Sequence, residues 1–76
     1  GHIKAQLNLS VLYYVGHGVI RDIVIAHMWA NIAAIDGSED AKKVRNQHES
    51  KMSSEQIAEA EKLARECVKK NYKDCG

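Results

Sequence analysis

Proline and phenylalanine are missing from the 76 residues, and glycine occurs only five times, twice at the chain ends. So few turn formers exclude a small sandwich or barrel of many short strands, which needs a reversal about every 8–12 residues. Helices are the expected element. No apolar run approaches the ~20 residues that cross a bilayer. Neither sign of charge is in excess: 11 basic and 10 acidic residues leave a formal +1. That balance gives no electrostatic case for nucleic acid or an anionic membrane surface, and neither is expected as a partner. The length excludes a two-domain enzyme and lies where one core only just outweighs chain entropy. Cysteine is scarce as well. Cys67 and Cys75 both fall in the last ten residues, too few for a framework; they form one local disulfide or stand as two thiols. Gly1-His2-Ile3-Lys4 does not open as a signal peptide opens. What remains is ordinary: 45% apolar and 28% charged residues, which argues against disorder.

Hydrophobic spacing predicts four helices. The first, about 3–15, carries Ala5, Leu9 and Leu12 at spacings of four and three, a helix face, and is ended by Gly16-His17-Gly18. The second, about 22–35, opens on Asp22, whose carboxylate suits the free N–H groups of a first turn. Ile23 to Ile35 has little polar surface, so this helix is expected to be covered on more than one side. The third, about 38–51, has Ser38 as cap, Glu39 and Asp40 at the positive end of the dipole, and a thin apolar stripe at Ala41 and Val44. The fourth, about 54–70, starts with a capping box at Ser53 and Gln56, with Met52 and Ile57 placed as a hydrophobic staple. Ile57, Ala60, Ala64, Cys67 and Val68 form its apolar face. Short turns between such helices imply an all-α fold of two stacked antiparallel helix hairpins, a short α/α solenoid.

The segment Leu12-Tyr13-Tyr14-Val15-Gly16-His17-Gly18-Val19-Ile20-Arg21-Asp22, followed by Ala26, Trp29, Ala33, Ala34 and Gly37, resembles the mid-repeat signature of the Sel-one-like repeats, relatives of the tetratricopeptide repeat. In that family a leucine and tyrosine end the first helix, two glycines make the turn, and an aspartate starts the second. Ser10 departs from it, standing where a glycine is usual. The later segment 52–67 is similar to the one that closes such arrays, where the family often places a cysteine pair in exported proteins. The resemblance therefore implies a single domain over 1–76, with one repeat at 3–37 and a closing helix pair and tail at 38–76. It also implies a bridge between Cys67 and Cys75, and with it export to a bacterial periplasm or beyond. Asn71 can let the chain turn back by adopting the left-handed conformation.

Catalytic readings find little in the residues. His2, His17, His27 and His48 include no pair four apart, and no zinc set or other cofactor site is expected. Some cysteine-rich members of the family are linked to β-lactam binding or hydrolysis, but no Ser-x-x-Lys pair occurs here. Lys69, Lys70 and Lys73 form a basic cluster too short to claim nucleic acid. The resemblance points instead to a non-catalytic unit for protein–protein interaction or scaffolding, with contacts on the first helix of each pair. Leu7, Asn8, Val11 and Tyr14 are the candidate partner-binding residues. The outer face with Leu7, Val11 and Tyr14 is expected to be covered by another protein, by a second copy of the chain, or by more of a longer parent.

Overall fold

The computed structural model describes residues 2–73 and 75. Gly1, Asp74 and Gly76, at the ends of the expected domain and tail, lie outside the described residues. Among the described residues the chain forms four helices and no strand: α1 (His2–Val15), α2 (Ile23–Ile35), α3 (Glu39–Glu49) and α4 (Ser54–Lys69). No helix among them is long and apolar enough to cross a membrane.

The breaks fall where backbone chemistry demands them. Gly16 and Gly18 take φ values of 75° and 81°, a region in which a Cβ would press on the backbone. The turn they make returns the chain so that Asp22 N–H donates to the Tyr13 carbonyl at 3.0 Å. Asp22 caps α2, its carboxylate accepting from the N–H groups of Val24 and Ile25. Ser38 caps α3 by accepting from Ala41 N–H. At α4 both halves of the capping box are formed between Ser53 and Gln56. Past its end, Asn71 and Tyr72 take φ values of 55° and 65°, and the chain folds back. That reversal brings Cys75 to Cys67, and the two are joined in a disulfide.

The apolar second helix is the centre of the molecule. The three other helices each pack chiefly on it. One face of α2, with Met28, Trp29 and Ile32, meets Ala64 and Cys67 of α4, and Leu9 and Tyr13 of α1 close over it. Another face, with Ala33 and Ala34, meets Ala41 of α3, and Ile3 and Leu7 of α1 pack against that cluster. Alanine at these places lets helix backbones approach closely. Ala26, Ala30, Ala33, Ala41, Ala60 and Ala64 have no exposed surface at all.

Two expectations about α1 need correction. Ala5 is exposed rather than part of an inward face. The buried positions are Gln6 and Ser10, flanked by Leu9 and Tyr13 on one side and Ile3 and Leu7 on the other. Polar side chains occupy the middle of this contact because each has a partner there. Ser10 Oγ–H donates to the Ala26 carbonyl at 2.7 Å, and Gln6 Nε2–H to Asp36 at 3.2 Å. Leu7 accordingly lies half-buried over the alanine cluster, not on an open outer face. On α4, Val68 is 37% exposed and falls outside the buried stripe of Ala60, Ala64 and Cys67.

Candidate functional site

Because α1 and α3 both rest on α2, their flanks face one another and leave a cleft between them. Two cavities lie along it. The first, of about 760 Å³, is lined by His2, Ile3, Lys4 and Leu7 of α1 and by Asp36, Ser38 and Asp40. The second, of about 360 Å³, is lined by Val11 and Tyr14 of α1 and by Val44, Gln47, His48, Ser50 and Lys51. The lining residues rise in number together on both walls, so α1 and α3 run in the same direction along the cleft.

The four candidates from the sequence all lie on α1, but not on one uniform face. Leu7 lines the first cavity, while Val11 and Tyr14 line the second. Asn8 is exposed and lines neither. The cleft thus unites three of the four.

Its second wall was not anticipated. His48 is 5% exposed, and its ring stacks on that of Tyr14 with centroids 4.7 Å apart and planes 12° from parallel. The signal was present in the spacing, since Ala41, Val44 and His48 recur at intervals of three and four along α3. The apolar stripe read from the sequence at Ala41 and Val44 stopped one step short of it. Lys51, in the turn after α3, donates from Nζ to the Tyr14 hydroxyl at 2.6 Å. Arg21 donates from Nε to the Tyr14 carbonyl at 2.8 Å, and its guanidinium carbon lies 5.4 Å from the Tyr14 ring centroid. Lys51 Nζ lies 5.3 Å from the same centroid, so Tyr14 carries two cations.

These contacts set the local electrostatics. The hydrogen bond from Lys51 holds the Tyr14 phenol below its ordinary pKa; partial desolvation opposes this, and the charges of Lys51 and Arg21 add to it. Burial lowers the His48 pKa, with further lowering from His27 and Lys51. His48 Nδ1 is buried without a hydrogen-bond partner among the described residues. Behind it, His27 is fully buried in α2, with Nε2 3.0 Å from a Glu49 carboxylate oxygen. Trp29 buries its indole N–H in the core without a partner among the described residues.

The arrangement is suited to holding a ligand: aliphatic and aromatic surface along two helices, with fixed charges at the ends. No family model, no curated protein and no solved structure matches this chain.

Proposed function

We propose that the protein is a non-catalytic helical-repeat module that binds a protein partner, and that the cleft between α1 and α3 receives an extended segment of that partner. The observation that carries this reading is the alignment of both cavities along the two parallel walls, with Leu7, Val11 and Tyr14 on the α1 side. The resemblance to Sel-one-like repeats supports it, since in such arrays the first helix of each pair lines the binding surface. A helix of 14 residues is ~21 Å long, room for about six extended residues.

The test is selection of random linear peptides on the immobilised protein, followed by binding to a Val11→Asp variant. Val11 is 49% exposed, so the charge disturbs the cleft surface without entering the core. Selected peptides are expected to bind the variant at least about tenfold more weakly, the equivalent of about 1.4 kcal/mol. Equal binding by both proteins would refute the assignment of the cleft.

Self-association is a second reading, favoured by the exposure of Val11, Val15 and Ile20, the last 90% exposed. It requires a mass by light scattering, and a melting temperature, that rise with protein concentration. A constant monomer mass removes it.

A further inference from the structure

The two ends of the cleft differ in charge, and the difference identifies what the narrower end recognises. At the Leu7 end, Asp36 and Asp40 line the cavity against a single cation, Lys4, and Asp36 accepts from Gln6. At the Tyr14 end stand Lys51 and Arg21, and neither has a carboxylate within ion-pair distance among the described residues. The acidic residues next to this end are engaged elsewhere: Glu49 by His27, and Asp22 by the N–H groups of Val24 and Ile25. Lys51 spends one of its three N–H donors on Tyr14, which leaves two for a ligand. The Tyr14 hydroxyl accepts that bond, so its own hydrogen is free to turn toward an anion. Val11 and Val44 supply aliphatic surface in the same cavity. At about 360 Å³ it lies near the small end of ligand sites, which run from about 300 to 1,000 Å³. That is room for one side chain and a charged group.

We propose that this cavity binds an aliphatic side chain together with an adjoining carboxylate of a peptide partner. The aliphatic group sits between Val11 and Val44. The carboxylate accepts from Lys51 Nζ and the Tyr14 hydroxyl. The inference rests on the assignment of the cleft as a peptide-binding surface and gives it a direction. A peptide whose terminal carboxylate lies at Lys51 runs parallel to α1 and α3, with its opposite end toward Asp36 and Asp40. Two sources share this chemistry: the chain terminus of the partner, and an Asp or Glu side chain beside an aliphatic residue.

Amide-resolved NMR titration of the full chain separates the outcomes. The probes are acetyl-Ala-Leu with a free carboxylate, its amide, acetyl-Leu-Glu-amide, and sodium acetate. The expected result is saturable shifts at residues 11–15 and 44–51 with acetyl-Ala-Leu, and affinity about tenfold lower for its amide, the loss of one charge-assisted hydrogen bond. Lys51→Met is expected to abolish that difference. Lys51 is exposed and outside any helix, so this variant folds, and unchanged shifts at α4 verify it. Stronger binding of acetyl-Leu-Glu-amide than of acetyl-Ala-Leu assigns the side-chain source; the reverse assigns the terminus. Equal affinity for acid and amide overturns the carboxylate subsite while leaving the cleft as a peptide surface. Equal shifts from acetate alone mean an adventitious ion only and overturn the subsite too. If no probe moves either wall of the cleft, both readings fall.

Discussion

Glycine 16 and glycine 18 sit in the same turn with nearly the same backbone angle, yet their surroundings differ. A Cβ built on Gly16 would lie 3.1 Å from Arg21 Cβ, whereas one on Gly18 meets nothing within 4 Å. Both substitutions incur the left-handed strain of about 1–2 kcal/mol. Gly16→Ala also pushes on Arg21, the residue that ties the turn to the Tyr14 carbonyl. Chemical denaturation is therefore expected to show a larger loss for Gly16→Ala than for Gly18→Ala, by about 1 kcal/mol. His48 provides the second residue-scale prediction. Its folded pKa lies below that of the unfolded chain, so the unfolded state takes up the proton first. Stability is then fully present above about pH 6.5 and is lost as pH falls through the lower, folded value. His48→Phe keeps a ring against Tyr14 and removes the titration. Urea melts from about pH 7.5 to about pH 5 are expected to fall less steeply for the variant. An unchanged slope would place the acid sensitivity elsewhere.

At the scale of elements, the starts of α2, α3 and α4 were legible because capping is local chemistry. Asp22, Ser38, Ser53 and Gln56 act within three residues of their own positions, so no distant partner is needed to recognise them. Faces were less legible. Gln6 belongs to no apolar spacing until Asp36, 30 residues away, is brought to it, and Ser10 finds its acceptor only in Ala26, 16 residues away. The same holds for the candidate site. Its α1 wall followed from the resemblance; on the α3 wall, spacing sets His48 in line with Ala41 and Val44 but does not say that it meets a ring 34 positions earlier. The end of α4 makes its own prediction. The bridge from Cys67 to Cys75 closes a short loop over a core residue that is only 2% exposed. Loop entropy assigns such a closure about 2–3 kcal/mol. Reduction is expected to lower the melting temperature by on the order of 10 °C, as read by circular dichroism with and without a reductant. No change on reduction would mean that the tail adds nothing to the fold.

For the whole molecule, a radius of gyration of 10.9 Å describes a particle with little interior to spare. Ile32 is fully buried where α2 meets α1 and α4. Truncating such a residue to alanine costs about 2–5 kcal/mol. Total stability for a chain of this size is on the order of 4–11 kcal/mol. Ile32→Ala is thus expected to leave a substantial unfolded population at 37 °C, visible as collapsed amide dispersion in NMR. A fully folded variant would show that the core is more redundant than its packing suggests.

The placement of α2 has one further consequence. Its neighbours are spokes on a single axle, and the rim between them is thin. A spoke can loosen while the others remain seated, but the axle cannot be withdrawn without losing the whole wheel. Amide hydrogens of α2, from Ala26 to Ala34, should therefore exchange with deuterium only through complete unfolding. Those at the free ends of α1, α3 and α4 should exchange by smaller openings. The cleft walls belong to that second class: α1 and α3 can loosen at their ends without withdrawing α2, so the centre of the fold stays intact while they do.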